Sequence, residues 1–202
     1  LDIKSLFIDV GSNHGLVSRQ ISNIKMVKKI ITFEPVVELF NLLKMNLNKI
    51  SNIENNNYGW AKNAGNLSFY ENISNSGDFS LIKNKQRKIK HIFKFKKADN
   101  ELAKIINYNK TLKIILKTDC QGYDIDIFCN IKNENLKKIY IYFLECRGIT
   151  EKNKLKFYNK INLFSKILIS CPLIHKGIKR INIKEIQNYI DYKVEFDLVL
   201  IN

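Results

Sequence analysis

The sequence predicts an α/β fold, with a doubly wound and mostly parallel sheet of about seven strands between helices. Short apolar runs such as residues 6–10 are typical of strands buried on both faces. The segments after these runs carry apolar residues at helical spacing, so strand and helix alternate along the chain. Only two prolines and eight glycines interrupt the 202 residues. We therefore expect residues 1–202 to form a single domain.

The first half of the chain shows this alternation most clearly. Its apolar patterns predict, in order, a strand at 6–10, a helix at 16–27, a strand at 30–33, a helix at 36–50, a strand near 53–58 and a hairpin-like region at 66–95. Pro35 ends the second strand because a proline cannot continue the ladder of hydrogen bonds.

The second half continues the pattern. We expect Asp99 to cap a helix at 100–106, and a strong apolar strand at 112–116 to run on to Asp119. The remaining elements predicted are a helix after Gly122, a strand at 139–144, a helix at 183–190 and a closing strand at 194–201.

The charge of the chain is strongly positive, with 34 Lys and Arg against 19 Asp and Glu, which gives +15. Lysine supplies 30 of these cations, and Lys, Ile and Asn share codons rich in adenine and thymine, so composition accounts for much of the charge. The densest cluster lies at residues 83–97, around Phe93 and Phe95. We interpret it as a solvated strand or loop, so a nucleic-acid partner is not favoured.

Several classes of protein are disfavoured by what the sequence lacks. There is no apolar run of transmembrane length, and the N-terminal residues lack the pattern of a signal peptide. The four cysteines form no C-x-x-C pair and the three histidines are scattered, so no metal site is expected. We expect reduced thiols and a cytoplasmic protein. The chain does not begin with Met, which leaves open whether further residues precede Leu1.

A candidate ligand site lies where the first two strands end. Residues 9–15 read DVGSNHG, and glycines in such a turn allow a ligand to approach while the next helix offers free N–H donors; a purely structural turn fits equally well. Asn13 replaces a glycine of the dinucleotide fingerprint, which disfavours NAD and FAD. Glu34 follows the second strand, where its carboxylate can accept both hydroxyls of a ribose.

Three segments resemble the signature blocks of a known family. They are FIDVGSNHG, ITFEPVVELFNLLKMNL and LKTDCQGYDIDIF, and in this order they resemble the FkbM family of S-adenosylmethionine-dependent methyltransferases. Weaker similarities occur at 59–61, 77–81, 98–102 and 143–145, and the final EFDLVLIN also fits. The resemblance implies a Rossmann-like class I methyltransferase fold whose last strand is antiparallel.

The resemblance also implies roles for individual residues with S-adenosylmethionine as the cofactor. Asp9, Gly11, Asn13 and Gly15 would line its methionine part, with Ser12 beside them. Glu34 would hold the ribose, bordered by Phe33 and Pro35, and the adenine edge would meet Gly59, Trp60 and Ala61. The catalytic candidates are Asp119, expected beside the transferable methyl group, and Gln121.

The sequence departs from the family at Ser12, His14 and Gln121. A glutamate is usual where Gln121 stands, and an amide cannot take a proton as a carboxylate does. We expect an O-methyltransferase acting on a hydroxyl of a sugar, glycan precursor or small metabolite. A nucleic-acid methyltransferase and a catalytically silent cofactor-binding module are the alternatives. Loops at 74–97 and 148–179 are expected to form the acceptor pocket.

Overall fold

The computed structural model describes residues 3–72, 75–83, 85–192 and 194–202, and of residues 75–78 only the backbone. The described strands are β1 Ser5–Val10, β2 Val27–Phe33, β3 Ile53–Asn56, β4 Gly59–Ala61, β5 Gly65–Asn72, β6 Asn75–Ser80, β7 Arg87–Lys97, β8 Lys113–Thr118, β9 Ile139–Cys146, β10 Lys166–Ser170, β11 Ile178–Arg180 and β12 Phe196–Ile201. The described helices are α1 Leu16–Ile21, α2 Val37–Leu47, α3 Ala98–Tyr108, α4 Asp124–Asn130, α5 Asn133–Leu136, α6 Glu151–Ile161 and α7 Ile183–Asp191.

The main sheet confirms the α/β class. Its eight strands lie in the order β11-β10-β12-β9-β8-β1-β2-β3. Strands β3, β2, β1, β8 and β9 are parallel to one another, whereas β12 is antiparallel to both β9 and β10. The antiparallel last strand is confirmed, and the strand beyond the expected seven is the short edge strand β11. Because β1 lies between β2 and β8, the strand order reverses there, and ligands of such sheets bind at this switch point.

The core of the main sheet explains why its central strands read as apolar runs. Every residue of β1 is buried, including Leu6 and Ile8 with no exposed surface. The largest buried cluster joins one face of the sheet to α3, α4, α6 and α7 through side chains such as Leu102, Phe128 and Phe157. Phe7, Val27 and Ile30 form a smaller cluster on other positions of β1 and β2. The central strands are thus buried on both faces, as the sequence indicated.

A second, four-stranded sheet in the order β4-β7-β5-β6 stands beside the main sheet. Its strands β5, β6 and β7 are antiparallel and confirm the hairpin-like region expected at 66–95. The strand expected near 53–58 is confirmed as β3, which covers residues 53–56 and pairs with β2 in the main sheet, whereas residues 59–61 form a separate strand that pairs with β7 in the second sheet. The chain therefore changes sheets at Asn57 and Tyr58.

Three other expectations differ from the structure. The helix expected at 16–27 ends at Ile21, and Val27 already belongs to β2; Leu16 and Ile24, which suggested the helical stripe, are 54% and 44% exposed. Asp99 is not a cap but lies inside α3, where its Oδ1 accepts hydrogen bonds from Lys132 N and Asn135 Nδ2, both at 2.8 Å.

The segment 148–179, expected as a loop for the acceptor, contains α6, β10 and the start of β11. A capping box between Thr150 and Asn153 starts α6, and Phe157 and Ile161 bury its inner side. Among the described residues no helix is both long and apolar enough to cross a membrane.

Candidate functional site

The loop after β1 connects the ends of β1 and β2 through its own backbone. Gly11, Asn13 and Gly15 all have positive φ, at 75°, 51° and 83°. The N–H groups of Gly11 and Ser12 donate to the Phe33 carbonyl, and that of Gly15 donates to the Ser12 carbonyl. Asn13 N donates to Glu34 Oε2 at 2.8 Å. These donors are thus occupied within the protein, so the expected offer of free N–H groups to a ligand fails for this part of the loop.

Gly11 is required by a contact within the protein. A Cβ atom at this position would lie 2.0 Å from the carbonyl oxygen of Asp119. The close approach joins the loops that follow β1 and β8, and Asp119 N donates to the Val10 carbonyl at 3.0 Å. The glycine therefore allows two backbone segments to meet.

Glu34 presents a buried carboxylate at the switch point. Only 4% of the residue is exposed. Its Oε2 accepts from Asn13 N at 2.8 Å and its Oε1 accepts from Val36 N at 2.9 Å. Each oxygen keeps a further lone pair for a ligand. Burial raises the pKa of Glu34 to about 7, although the two backbone donors partly offset this effect.

Glu34 opens into a cleft between the main sheet and the second sheet. The cleft encloses about 610 Å³, part of which is open to solvent. Eight of the residues singled out from the sequence line it, namely Gly11, Asn13, Glu34, Pro35, Gly59, Trp60, Asp119 and Gln121. The structure therefore brings together residues that are up to 110 positions apart in the sequence, from Gly11 to Gln121.

Five other predicted residues do not line this cleft, and each has a contact that explains its type. Asp9 has no exposed surface and accepts from Ser18 Oγ at 2.6 Å. Ser12 Oγ donates to the Asp9 carbonyl, Gly15 lies against Leu47 of α2, Phe33 packs on Trp60, and Ala61 is buried in the apolar cluster of the second sheet. Their positions favour supporting roles behind the cleft.

Asp119 stands at the mouth of the cleft with its side chain 42% exposed. Lys117 Nζ lies 3.5 Å from Asp119 Oδ2 and 3.2 Å from Asp9 Oδ1, so one buried ammonium bridges both carboxylates. Desolvation acts to lower the pKa of Lys117, but the charges of Asp9 and Asp119 outweigh it and raise that pKa. The ion pair between Lys117 and Asp119 fixes the Asp119 side chain relative to β8, which carries Lys117.

Gln121 connects Asp119 to an arginine. Its Nε2 donates to Asp119 Oδ1 at 3.4 Å, and its Oε1 accepts from Arg147 Nη1 at 3.3 Å. Arg147 also donates to Glu195 Oε2 at 2.6 Å. An amide serves both neighbours at once, because it has a donor for the carboxylate and an acceptor for the guanidinium. Local hydrogen bonding thus accommodates a glutamine at this position.

A second pair of carboxyl groups, which the sequence did not single out as functional, lies beneath the loop of Asp119. Asp124 accepts from Cys120 N at 3.0 Å and Gly122 N at 3.3 Å, and Glu145 Oε2 also accepts from Gly122 N at 3.3 Å. Burial raises the pKa of both carboxyl groups; the charge of Asp119 adds to this for both, and the charge of Asp124 raises the pKa of Glu145 further. The pair holds the loop that carries Asp119 and Gln121.

The apolar wall of the cleft was also missed. It comes mainly from the second sheet, with help from α2 and the β8–α4 loop, and consists of Leu39, Phe69, Phe79, Leu81, Phe95 and Tyr123. Phe69 contacts Phe79, Phe93 and Phe95, with ring centroids 5.4 to 5.9 Å apart. Alternating aromatic residues in β7 were the available signal, but the sequence does not show which ligand or core such a face meets.

No protein-family model and no curated protein matches the chain. Among solved structures, it is similar to an rRNA methylase from Streptococcus thermophilus, with a TM-score of 0.52 and 10% identity over 100% of this chain and 89% of that chain. It is also similar to a proposed tRNA methyltransferase from Streptococcus pneumoniae, solved with S-adenosyl-L-methionine, with a TM-score of 0.51 and 13% identity over 99% and 67% of the two chains. The chain therefore has the fold of class I S-adenosylmethionine-dependent methyltransferases.

Proposed function

We propose that the protein is a methyltransferase that binds S-adenosylmethionine in the cleft beside Glu34. The observation that carries the proposal is the Glu34 carboxylate, which is buried at the switch point and keeps one acceptor position on each oxygen. A ribose offers two adjacent hydroxyl donors that match these positions. The methyltransferase fold makes S-adenosylmethionine the nucleoside to expect there.

The polar and apolar parts of the cleft support this cofactor. Glu34 and Asn13 lie on the side of β1 and β2, whereas Phe69, Phe79 and Phe95 give the other side an aromatic surface on which a purine can pack. The buried indole Nε1 of Trp60 has no hydrogen-bond partner among the described residues. Because buried donors are rarely left unpaired, this group favours a ligand with an acceptor, such as adenine.

The residues around Asp119 are suited to methyl transfer. When bound, S-adenosylmethionine supplies an electrophilic methyl group on a positively charged sulfur. Asp119 places a carboxylate in the cleft, fixed by Lys117 and Gln121, where it can stabilise positive charge or accept the proton of an acceptor hydroxyl. The apolar wall excludes water from the same space, which strengthens these electrostatic interactions.

The acceptor class and the family are proposed from the sequence resemblance alone. We propose that residues 1–202 form a single methyltransferase domain of the FkbM type, acting on a hydroxyl of a sugar, glycan precursor or small metabolite in the cytoplasm. Gly11, Asn13 and Asp119 would meet the methionine part, Glu34 and Pro35 the ribose, and Gly59 and Trp60 the adenine. Asp9, Ser12, Gly15, Phe33 and Ala61 would support these residues from behind the cleft.

Two other functions make different predictions. A nucleic-acid methyltransferase is favoured by the exposed lysines of β7, which are described below. A silent cofactor-binding module would bind S-adenosylmethionine but transfer no methyl group to any acceptor; the amide at Gln121, in place of a carboxylate, is the observation that favours it.

The proposal is tested by isothermal titration calorimetry with S-adenosylmethionine and S-adenosylhomocysteine. We expect saturable binding of both, with one site per chain, and loss of at least tenfold in affinity for Glu34→Gln. The matched control is Glu54→Gln, since Glu54 is an exposed carboxylate that pairs with Lys29 on the surface. Absence of binding at millimolar ligand by the folded protein would refute the proposal.

A further inference from the structure

Strand β7 sorts its side chains onto two chemically different faces. Successive side chains of a strand point to opposite sides. Phe93 and Phe95 pack with Phe69 on the side of the cleft. The alternate positions are Lys88, Lys90, Ile92 and Lys94, and all four are exposed. The lysines that form one dense cluster in the sequence therefore share one surface.

The neighbouring strand β5 extends this surface without adding negative charge. Asn66 pairs with Lys94, Ser68 with Ile92, and Tyr70 with Lys90, and paired residues lie on the same face of a sheet. We call these seven residues the basic face: Asn66, Ser68, Tyr70, Lys88, Lys90, Ile92 and Lys94. The carboxylate of β5, Glu71, lies on the other side, where it contacts His91 Nε2 at 2.9 Å.

The lysines of the basic face differ in their contacts from Lys96, which lies further along the same strand. Among the described residues, Lys88, Lys90 and Lys94 form no ion pair. By contrast, Lys96 on the same strand lies 3.7 Å from Glu101 and 3.9 Å from the ring centroid of Tyr58. Lys83 adds a further cation, 5.9 Å from the ring centroid of Tyr70. Elsewhere on the surface, Lys29 lies 3.0 Å from Glu54.

We propose that the basic face binds single-stranded nucleic acid. Lys88, Lys90 and Lys94 would contact phosphates, and Tyr70 and Ile92 would contact bases. Proteins that bind single-stranded nucleic acid combine a positively charged surface with aromatic and apolar side chains in this way. The positive charges contact the phosphates, and the aromatic and apolar side chains contact the bases. Ile92 is 65% exposed between two lysines, and an anionic polysaccharide has no base to place against it.

The basic face and the cleft lie on opposite sides of the same two strands, β5 and β7. Phe69 and Phe95, on the opposite side of the same two strands, line the cleft. A bound strand would therefore be held one sheet thickness away from the cleft. This proposal does not depend on methyl transfer, because it concerns a surface and not the cleft.

The test is fluorescence anisotropy with a fluorescein-labelled 20-nucleotide oligo(U), titrated with the full chain over a series of salt concentrations. We expect binding at low salt that weakens steeply as salt rises, and at least tenfold weaker binding for Lys90→Glu/Lys94→Glu. The logarithmic salt slope should fall by about 1 for each phosphate contact removed. The matched control is Lys152→Glu/Lys156→Glu, which makes the same charge change at exposed positions of α6 and should alter affinity less than twofold.

A second variant separates nucleic acid from other polyanions. Tyr70→Ala should weaken oligo(U) binding about fivefold or more, because stacking of a base on an aromatic ring is lost, while heparin binding stays unchanged. The proposal is overturned if oligo(U) does not bind at low salt, if both double variants lose affinity equally, or if Tyr70→Ala has no effect. Circular dichroism and thermal unfolding confirm beforehand that each variant is folded.

Discussion

Glu34 is the residue whose ionisation links the fold to the proposed cofactor. Its carboxylate must be charged to accept two ribose hydroxyls, yet burial raises its pKa to about 7. A ligand that donates two hydrogen bonds stabilises the charged form and so lowers this pKa on binding. Cofactor affinity therefore depends on pH in the range around neutrality.

The affinity for S-adenosylhomocysteine should fall as the pH falls below 7. Between pH 8 and pH 6 we expect up to about a tenfold loss, because the protonated carboxyl must release its proton before it can accept both hydroxyls. Glu34→Gln should bind more weakly at pH 8, by roughly 10- to 100-fold for the loss of a charged hydrogen bond, and should show no pH dependence in this range. Calorimetry at several pH values measures both effects, and a pH dependence retained by the variant would contradict the role of Glu34.

Among the described glycines, Gly11 is the one at which an added side chain would come closest to another atom. Gly11→Ala would place a Cβ atom 2.0 Å from the Asp119 carbonyl oxygen, in addition to the cost of a positive φ of 75°. Gly148→Ala is the matched control, because its φ of 69° is similar but no atom lies within 4 Å of the added Cβ.

Chemical denaturation should show a loss of about 1–2 kcal/mol in the free energy of unfolding for Gly148→Ala, which represents the left-handed backbone alone. Gly11→Ala should lose about 1–3 kcal/mol more, because the overlap forces the two loops apart. Equal losses would show that the contact with Asp119 is not as close as the structure indicates.

Gln121→Glu tests the contact between the side chains of Gln121 and Asp119. Gln121→Glu would place a second carboxylate where Nε2 now donates to Asp119 Oδ1 at 3.4 Å. The repulsion between two partly exposed carboxylates is worth about 1 kcal/mol. Arg147 Nη1 lies 3.3 Å from the same side chain and would attract the new carboxylate. We therefore expect the variant to be less stable than the wild type by at most this amount at pH 8, and by less at pH 4, where the introduced carboxyl group takes up a proton. Urea denaturation of both proteins at the two pH values measures this difference, and a difference from the wild type that is the same at both pH values would argue against the Asp119 contact.

Two of the predicted site residues that line the cleft share a simple property. Glu34 and Asp119 directly follow buried parallel strands, so the topology alone brings them to one edge of the sheet. Asp9 is acidic and close to the same edge, but its carboxylate turns towards Ser18 and Lys117 instead of the cleft. Strand position predicts where a residue lies along the sheet, whereas the direction of its side chain depends on packing partners distant in sequence.

Among the larger elements, the second sheet could be predicted only in part from the sequence. Its hairpin region was predictable from alternating residues, since that pattern depends only on neighbours in the chain. The pairing of residues 59–61 with β7 was not predictable, because these residues pair with a strand more than 30 residues away in the sequence. The aromatic wall of the cleft follows from this pairing and was missed for the same reason.

Asp99 connects two helices, and its role can be separated from capping. Its Oδ1 accepts from Lys132 N and from Asn135 Nδ2, so it ties α3 to the start of α5. Asp99→Ser keeps a good capping residue but cannot reach both donors. We expect Asp99→Ser to lower the free energy of unfolding by about 1.5–3 kcal/mol per lost charged hydrogen bond. The exposed neighbour Asn100 serves as the control, and Asn100→Ser should change stability by less than about 0.5 kcal/mol. A stable Asp99→Ser would support the cap that the sequence suggested.

For the molecule as a whole, buried carboxyl groups should make stability decrease as the pH rises. Burial raises the pKa of Glu34, Asp124 and Glu145 above the ordinary values of these groups. A raised carboxyl pKa stabilises the fold fully below the ordinary value, and this contribution is lost as the pH rises through the folded value. Urea denaturation should therefore give a higher free energy of unfolding at pH 5.5 than at pH 8.

Glu145→Gln isolates the carboxyl pair from Glu34. The amide cannot ionise, so this variant should show a smaller decrease in stability between pH 5.5 and pH 8 than the wild type. An exposed carboxylate, Glu134, provides the control, since Glu134→Gln should leave the pH dependence unchanged. Stability that rises with pH in the wild type would contradict the burial of these three groups.

The order of strands around β1 was predictable because it follows from strand–helix alternation and right-handed crossovers. The strands at the edge of the sheet were less predictable. Strands β10 and β11 lie in a segment that the sequence suggested was a loop, where lysines and asparagines obscure the short apolar pattern of Ile167 and Ile169. The abundance of Lys and Asn thus makes strands at the edge of the sheet harder to predict than strands in the core.

We propose above all that Glu34 and the cleft beside it hold S-adenosylmethionine. A crystal structure of the protein with S-adenosylhomocysteine would test this. Both ribose hydroxyls should lie within about 3 Å of the Glu34 carboxylate oxygens, with the adenine against Trp60 and the aromatic wall. A ligand bound elsewhere, or a ribose that makes no contact with Glu34, would contradict it.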